Sequence, residues 1–371
     1  MKFRIKRDDI LKSLQQVAGI VEKRQTLAVL SNVLIVVDQG SLAMTGTDME
    51  IELIAKTAVS ESLEIGETTV PARKLLDICK SLPQDAELEI STDNGRVLLK
   101  SGRSRFTLVT LPAGDFPNLD EHSGATTRFE IEAQALKRLI ESTGFAMAQQ
   151  DVRYYLNGML FEISSDNKLK AVATDGHRLA LSHAEISNIS DKNSHAQAIV
   201  PRKGVLELAR LFGDLEGVVA LTIGNNYIQA TAKNLSFSSK LVDGKFPDYE
   251  RVIPKGGNKH IAMNREDLRQ ALNRVAILSN DKFRGVRLLL AENSLQLLAN
   301  NPEQEEAEEN VNVSYSGSDL EIGFNVGYLL DVMNTLKTEG VEFLLTDSNS
   351  SGVIQGQGQE SSLYVVMPMR L

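Results

Sequence analysis

A recurring order of hydrophobic and polar positions divides the chain into three copies of one unit. Each copy opens with a short strand of alternating polar and apolar residues, which runs directly into an amphipathic helix. These strand–helix pairs are predicted at Lys2–Lys6 with Asp8–Val21, at Thr127–Glu132 with Ala133–Met147, and at Lys259–Asn264 with Arg265–Leu278. The copies begin about 125 residues apart, which is too long for a solenoid repeat and typical of a whole domain.

The second half of each copy repeats as well. A polar pair ends one strand in each copy, at Thr47-Asp48, Thr174-Asp175 and Asn300-Asn301. A second helix follows, predicted at Ala72–Ser81, Arg202–Leu211 and Gly327–Leu336. A hairpin comes next, with turns that need residues tolerant of positive φ at Asp93-Asn94-Gly95 and Gly224-Asn225-Asn226, whereas Ser348–Ser362 is predicted to be a longer, mobile loop.

This order predicts an α+β fold of three structurally similar domains. Each domain has two helices packed on antiparallel sheets of about eight strands. The predicted domains span residues 1–125, 126–253 and 254–371.

The distribution of charge matters more than its sum. The net charge of −9 argues at first sight against a nucleic-acid partner, but many of the acids fall in strands and loops. The helices gather the cations Lys12, Lys137, Arg138, Arg269, Arg274, Arg73, Lys74, Lys80, Arg202, Lys203, Arg210 and Lys337. A surface formed by these helices would hold phosphates without reading bases, although basic residues are also common on solvated helix faces.

No motif predicts catalysis or a cofactor. The sequence contains no nucleophile elbow, no phosphate-binding loop and no zinc-protease helix motif, and its single cysteine, Cys79, excludes an internal disulfide. With no signal peptide at the start of the sequence and no apolar run long enough to span a bilayer, we expect a cytoplasmic protein without cofactor or metal. The segment Ala173–Leu179 has three interpretations: an acid–base pair of Asp175 and His177, a tight turn, or the border of a binding pocket.

An acidic run and a basic cluster lie near opposite ends of the chain. The glutamates of the segment 303–309 are compatible with a metal site, with a solvated edge, or with an electrostatic interface. The complementary cations are Lys74, Arg96, Arg103 and Arg105. One acidic and one basic edge on the same chain favour head-to-tail pairing, which gives a ring if the rotation closes.

Eight segments carry a resemblance to a known family. They are Val70–Lys74, Ser101–Phe106, Asp115–Leu119, Asp151–Phe161, Ala173–Leu179, Lys240–Tyr249, Asn300–Glu309 and Tyr364–Leu371. Through them the whole chain resembles the β subunit of bacterial DNA polymerase III, the sliding clamp.

The resemblance implies a processivity factor without catalytic activity. Its expected form is a head-to-tail homodimeric ring of six domains around duplex DNA, with the helices lining the hole. The ring would tether the catalytic subunit of the polymerase III holoenzyme, and other polymerases and repair proteins would bind through short peptide motifs. A separate ATP-dependent clamp loader would place it on DNA. The alternatives are an open, non-topological DNA-binding protein and a hydrolase that uses Asp175 and His177.

The resemblance also assigns residues. The partner-peptide pocket would comprise Leu156, Thr174, Gly176, His177, Arg178, Leu179, Pro247, Arg251, Val252, Val365, Val366, Met367, Pro368, Met369 and Arg370. DNA would contact Arg24, Arg73, Gln149, Tyr154, Tyr155 and Lys203, although Tyr154 and Tyr155 are equally compatible with buried tyrosines. The dimer interface would comprise Lys74, Arg96, Arg103, Arg105, Phe106, Leu108, Ile277, Leu278, Glu305, Glu306, Glu308 and Glu309. The loops Ser348–Ser362 and Asn188–His195 receive no function.

Overall fold

The three predicted strand–helix pairs form where the hydrophobic pattern places them. The structure is a computed structural model, and it describes residues 1–21, 27–117, 126–190 and 196–370. All three opening strands have the predicted ends, but the α-helices that follow them are shorter than predicted. In the second and third copies the last turn tightens into a 3-10 helix, at Gly144–Ala146 and Ala276–Leu278.

Within the described residues, the elements follow the same order in each copy, except that the first copy has one additional strand, β5. The first copy contains β1 (Lys2–Lys6), α1 (Arg7–Ala18), β2 (Asn32–Asp38), β3 (Ser41–Thr47), β4 (Ile51–Ala58), β5 (Glu61–Glu64), β6 (Gly66–Pro71), α2 (Ala72–Ser81), β7 (Glu87–Asp93), β8 (Arg96–Ser101) and β9 (Ser104–Val109). The second contains β10 (Thr127–Glu132), α3 (Ala133–Thr143), β11 (Gly158–Ile163), β12 (Lys168–Thr174), β13 (Arg178–Glu185), β14 (Gln197–Pro201), α4 (Arg202–Phe212), β15 (Val218–Ile223), β16 (Tyr227–Ala232) and β17 (Leu235–Lys240). The third contains β18 (Lys259–Asn264), α5 (Arg265–Val275), β19 (Gly285–Ala291), β20 (Ser294–Asn300), β21 (Glu306–Ser314), β22 (Leu320–Asn325), α6 (Val326–Thr335), β23 (Gly340–Leu345), β24 (Gly352–Gly356) and β25 (Ser362–Val366).

One compact unit contains Met1–Ala133, Asn188–Asp191 and Arg210–Leu241. It holds a five-stranded sheet in the order β5-β1-β7-β8-β9 and an eight-stranded sheet in the order β10-β15-β16-β17-β4-β3-β2-β6. In the eight-stranded sheet, β17 of the second copy pairs antiparallel with β4 of the first. Strands from two predicted domains therefore form one continuous sheet.

The second compact unit contains Gln134–Ser187, Lys192–Ala209 and Val242–Leu371. Its single sheet has twelve strands in the order β14-β11-β12-β13-β25-β24-β23-β18-β21-β20-β19-β22. Here β13 of the second copy pairs antiparallel with β25 of the third. The positions of the predicted domain boundaries stay a prediction.

Burial patterns show which sheet faces are covered. Helix α1 buries Ile10, Leu14 and Val17 and contacts β3 and β4, so one face of that sheet is closed by a helix. In β11 the four residues Gly158–Phe161 are all buried, which breaks the alternation expected for a half-exposed strand. Both faces of β11 are therefore covered.

Two of the three hairpin turns differ from their prediction. The first turn does use positive φ, at Asn94 (47°) and Gly95 (71°). Gly224 avoids that region, and a Cβ on it would lie 2.2 Å from the Tyr227 ring, so close packing rather than backbone conformation requires the glycine. The predicted mobile loop Ser348–Ser362 is wrong, because it contains strand β24, in which Val353 and Ile354 are buried.

Candidate functional site

The turn between β12 and β13 organises the first part of the predicted pocket. The Thr174 hydroxyl donates to the carbonyl oxygen of Arg178 (2.6 Å) and accepts the backbone N–H of Gly176 (3.1 Å). The Asp175 carboxylate accepts the backbone N–H groups of His177 and Arg178 at 2.9 and 3.0 Å. Gly176 has a φ of +89°, a conformation that residues with a Cβ adopt at a penalty. The interpretation of this segment as a tight turn is therefore confirmed.

Arg178 is the best-contacted side chain of the turn. Its guanidinium donates to the Asp175 carboxylate (3.1 Å), to the Asp331 carboxylate of α6 and to the carbonyl oxygen of Phe145 (2.9 Å). It also lies over the rings of Phe145 and Tyr328, 5.1 and 4.5 Å from their centroids. With only 12% of its side chain exposed, Arg178 is fixed in one orientation.

Below the turn lies an apolar floor to which both the second and the third copies contribute. Leu179 of β13 is directly opposite Val365 of β25, and both are buried. They pack with Leu160, Val172, Ile199, Phe246 and Tyr249 in one cluster. Directly after β25, the Met367 N–H donates to the His177 carbonyl oxygen (2.9 Å). Val366 and Met367 therefore lie along the edge of the turn.

A linker between β17 and β18 forms the opposite wall. Pro247 and Val252 are half-buried, and Arg251 is exposed and paired with Asp248 (2.8 Å). Between them, Tyr249 is buried in the floor cluster. The structure thus brings the predicted residues of the linker, the turn and β25 around one apolar cluster.

A second arginine supports the back of the turn. Arg153 pairs with Asp151 (2.8 Å) and donates to the Asp175 carbonyl oxygen (3.2 Å). The hydrogen bond from Arg153 lowers the pKa of Asp151 to about 2. Leu156, on the adjacent 3-10 turn, is buried.

The last two predicted pocket residues line a different cleft. The Met369 N–H donates to the Gly323 carbonyl oxygen (2.8 Å) beside β19, and Arg370 follows. Both line a cleft of about 920 Å³ on strands β19, β20 and β21, together with Phe283, Glu306 and Glu308. The structure does not show these two residues against the floor cluster.

Four contributors to the pocket were not found from the sequence. Phe145, Tyr328 and Asp331 surround Arg178, and Arg153 lies so close behind the turn that a Cβ on Gly176 would lie 3.0 Å from its guanidinium. The only sequence signal was the polar Arg153-Tyr154-Tyr155 segment beside a predicted strand. The contacts of α6 depend on tertiary pairing.

The alternative acid–base pair does not match this geometry. The Asp175 carboxylate is directed to backbone N–H groups and to Arg178, while the exposed His177 ring stacks on Tyr328 with centroids 6.5 Å apart. Within the described ranges, no group of three His, Cys, Asp or Glu residues is placed to hold a metal ion. Among the helices of those ranges, none combines the length and the apolar character that crossing a bilayer requires.

The helix cations have different environments. Arg73, Lys74 and Lys80 are exposed on α2, and Arg73 and Lys80 line a groove of about 490 Å³ beside α1. Arg269 pairs with Glu266 (2.6 Å), and Arg274 pairs with Glu309 (2.5 Å). Lys337 is not helical, because α6 ends at Thr335.

The predicted DNA contacts are only partly exposed. Tyr154 is 74% exposed, whereas Tyr155 packs against the floor cluster. Gln149 is exposed and Lys203 is half-buried. Arg24 lies outside the described residues.

Two sheet edges carry the predicted interface residues. Strand β9 pairs with β8 on one side, and no described strand pairs with its other side. Strand β21 pairs with β20 along Glu306–Asn312, and within the described chain only Val313 and Ser314 pair on its other side, with β18. Arg96, Arg103 and Arg105 are exposed on or beside β9, and Glu306 and Glu308 are exposed on β21.

The apolar interface residues show a graded burial. Ile277 is 76% exposed, Leu278 and Phe106 are half-buried, and Leu108 is buried. Glu309 bonds to Arg274 of its own chain, and Glu305 accepts from Asn301 (2.6 Å). Val109, 66% exposed at the end of β9, was not predicted.

Comparison with known proteins decides the family. Family models of the DNA polymerase III beta subunit match in chain order, its N-terminal domain at residues 1–120, its central domain at 130–248 and its C-terminal domain at 250–370. The chain belongs to the DNA polymerase III beta subunit family. The beta sliding clamps of Pseudomonas putida KT2440 and Escherichia coli K12 are 59% and 53% identical to it over 371 residues, with full coverage of both chains.

Solved structures of the family agree with this fold. A DNA polymerase sliding clamp from Pseudomonas aeruginosa, solved with a ligand, superposes with a TM-score of 0.96 at 55% identity over both full chains. A sliding clamp from the same species bound to griselimycin gives 0.95 at 56%, and the polymerase III beta subunit of Caulobacter crescentus gives 0.93 at 35%, again with full coverage. The resemblance, the α+β fold of three clamp domains and the sliding-clamp function inferred from the sequence are confirmed.

Proposed function

We propose that two copies of the chain close head to tail into a ring around duplex DNA and thereby keep a DNA polymerase on its template. The observation that carries the closed ring is the pair of open sheet edges, basic at β9 and acidic at β21. An open strand edge pairs readily with another strand, and opposite charges select the β9–β21 combination over either self-pairing.

The interface is stabilised mainly by apolar burial. Ile277 and Leu278 of one copy pack against Phe106 and Leu108 of the other, which removes the 76% exposed Ile277 from water. The flanking ion pairs formed by Lys74, Arg96, Arg103 and Arg105 contribute about 0–1 kcal/mol each, since they are solvated. Glu305, Glu306 and Glu308 supply the opposite charges, and Glu309 joins them only if it shares Arg274.

DNA is held by a diffuse field of cations without base recognition. Arg24, Arg73 and Lys203 contact phosphates, with Gln149, Tyr154 and Tyr155 beside them. Contacts of this kind do not depend on sequence and therefore permit sliding. The internal pairing of Arg269 and Arg274 supports a smaller role for the α5 cations.

Partner proteins bind the floor cluster through short peptides with apolar anchors. The turn, the linker and β25 surround Leu179 and Val365 with half-buried Pro247, Val252 and Met367, a combination that suits aliphatic anchors. The partners are the polymerase III catalytic subunit, other polymerases and repair proteins. Met369 and Arg370 line the cleft that also contains Glu306 and Glu308 of the proposed dimer interface, so their part in peptide binding rests on the family resemblance alone.

The ring itself has no catalytic activity, and a separate ATP-dependent loader opens and closes it in the cytoplasm. The Asp175 carboxylate is committed to the turn and to Arg178, which supports a structural role for that residue.

Loading on circular DNA tests the proposal. The protein is loaded with a clamp loader and ATP onto nicked circular DNA, the salt concentration is raised, and the circle is then cut with a restriction enzyme. Retention on the circle and release after cutting are expected, because a closed ring is linked to the DNA topologically. Equal retention or equal loss on circular and linear DNA would instead indicate an open DNA-binding protein that is held by contacts alone.

A further inference from the structure

We propose that Tyr249 is a positioning residue of the peptide pocket. Through its hydroxyl contact to Glu162, it holds the linker that carries Pro247, Arg251 and Val252 in the conformation that receives a partner. This inference rests on the proposed peptide-binding function and adds the residue that prepares one wall of the pocket.

The linker has few other attachments to the sheet. Between the end of β17 at Lys240 and the start of β18 at Lys259, the regular structure is one 3-10 turn, Tyr249–Arg251. The Val242 N–H donates to the Ile199 carbonyl oxygen (2.9 Å), and the Val252 N–H donates back to Tyr249 itself (3.1 Å). In the described chain, no backbone hydrogen bond joins residues 243–251 to a strand, so side chains hold this wall.

Two side chains of the linker are buried in the floor cluster, Phe246 and Tyr249, and half-buried Val242 and Ile253 pack against it. Phe246, Val242 and Ile253 contribute packing without a side-chain hydrogen bond. The Tyr249 hydroxyl donates to Oε2 of Glu162 on β11, and Oε1 of the same carboxylate accepts from Nε2 of Gln197 on β14 (2.5 Å). The acceptor is therefore held by two adjacent strands, and Tyr249 is tied to a rigid point.

The surroundings keep the phenol a donor. Burial of Tyr249 and the adjacent Glu162 carboxylate raise its pKa above the ordinary value, so the hydroxyl retains its proton. The neighbouring residue Glu250 makes only a long contact to Lys170, at 3.8 Å between Oε1 and Nζ, and both are on the solvent side. The Tyr249 hydroxyl thus joins the linker to the sheet by a hydrogen bond, whereas Glu250 does so only through a long ion pair.

The position of Tyr249 decides what its loss does. Pro247 lies two residues before Tyr249, and Val252 lies three residues after it. Loss of the Tyr249 contact therefore allows both residues, and with them this wall of the pocket, to move. A pocket that is correctly arranged only part of the time binds with an affinity reduced by that fraction. The reduction falls on the association rate, because a bound partner re-forms the same contacts in either variant.

Tyr249→Phe keeps the buried ring and removes only the hydroxyl. Binding of a short synthetic peptide with two leucine anchors, the chemistry that suits the floor cluster, is measured on the immobilised full-length protein by surface plasmon resonance. We expect the association rate to fall about fivefold while the dissociation rate changes less than about twofold. The matched control is Tyr315→Phe, which removes a comparable hydroxyl contact, to the Ser318 carbonyl oxygen at 2.7 Å, on a different turn of the chain.

Glu162→Gln weakens the same hydrogen bond by changing its acceptor on β11. It is the second test if Tyr249→Phe lowers stability. It keeps an acceptor oxygen, so we expect a smaller loss of association rate than for Tyr249→Phe, and no further loss when the two changes are combined. Association rates equal to that of Tyr315→Phe, or a loss confined to the dissociation rate, overturn the positioning role. Wild-type protein that does not bind the leucine-anchored peptide overturns the proposed pocket, and this inference with it.

Discussion

The first and second copies present the same sheet face with different chemistry. In the first copy Leu34 is opposite Thr45 and Thr69, and Glu52 is opposite Ser238. In the second copy Leu160 is opposite Val172 and Ile199, and Leu179 is opposite Val365, in the same register. The floor positions on the strands are thus mostly polar in the first copy, where Thr45 and Thr69 are buried and Leu34 packs with a cluster of Val29, Leu30 and Phe116.

The adjoining turns extend this comparison. The Thr47 hydroxyl donates to the Ile51 carbonyl oxygen (2.8 Å) and the Asp48 carboxylate accepts the Glu50 and Ile51 N–H groups (2.9 and 2.8 Å), as Thr174 and Asp175 do in the second copy. Ile51 occupies the position of Arg178. In the third copy the equivalent positions are Arg287, Leu298, Glu306 and Gly323. The backbone repeats, and among the described residues only the second copy carries aliphatic side chains at all four of these strand positions, Leu160, Val172, Leu179 and Ile199.

The largest expected effect comes from placing the first-copy residue in the second copy. Leu179→Glu buries a carboxylate among Leu160, Val172 and Val365 without a partner, so we expect a loss of about 3–5 kcal/mol in unfolding free energy and no binding of the leucine-anchored peptide. The reverse change, Glu52→Leu, is at a half-buried position and should alter stability by less than Leu179→Glu does. Urea denaturation measures both, and equal effects would show that the two faces are not different environments.

Arg178→Ala tests the residue that most distinguishes the two turns. It leaves Asp175 and Asp331 without their shared cation, so we expect about 2 kcal/mol of destabilisation and at least a tenfold loss of ligand affinity. Arg251→Ala is the control for stability alone, because that side chain borders the same pocket but is 85% exposed and should change stability by less than about 0.5 kcal/mol. Calorimetry gives both quantities, and a similar loss of stability in the two variants would contradict the role assigned to Arg178.

Substitutions at the positive-φ residue of each turn should change the stability of the protein in opposite directions. Gly176 has a φ of +89° and Met49, its equivalent, a φ of +78°. Gly176→Ala should destabilise the protein by about 1–2 kcal/mol, and Met49→Gly should stabilise it by about 0.5 kcal/mol through relief of strain. Thermal unfolding measures both, and changes of the same sign would mean that the turns differ in backbone conformation.

The smallest effect concerns the Asp151–Arg153 pair behind the second turn. The pKa of Asp151, about 2, is lower in the folded protein than in the unfolded chain. The stabilising contribution of the pair is therefore complete above about pH 4 and is lost as the pH falls through 2. Arg153→Gln should return the pKa of Asp151 toward its ordinary value and remove this contribution at pH 7, with only a small loss of stability because the pair is exposed to solvent. Carboxyl chemical shifts followed against pH test this, and an unchanged pKa would assign the shift to backbone donors.

The sequence predicted the order of elements but not the pairing that makes the pocket. The opening strands, the second helices and the Thr-Asp turns depend on local periodicity and turn chemistry, and they lie where predicted. Strand β24 was missed because Gly352, Gln355 and Gly356 dilute a run in which only Val353 and Ile354 are apolar. The helix ends were overestimated because the apolar spacing continues through the 3-10 turns.

The pocket's apolar nature could not be predicted from any local window. Leu179 and Val365 are 186 residues apart in sequence, and whether the equivalent face is polar depends on Ser238 and Glu52, which are just as distant from one another. The assignment of Glu309 to the interface likewise could not anticipate its contact with Arg274 in the same chain. Such pairings arise from register across copies, which single-sequence patterns do not contain.

The charges of the two open edges also determine which edge-to-edge contacts an unpaired chain avoids. Two β21 edges would bring glutamates together and two β9 edges would bring arginines together, so each edge repels its own kind. A newly made or transiently opened copy is therefore protected from the edge-to-edge stacking that leads to fibrous aggregates. The same selectivity makes assembly directional, because every joint has one acidic and one basic side, and a correctly closed dimer leaves neither edge for a third copy.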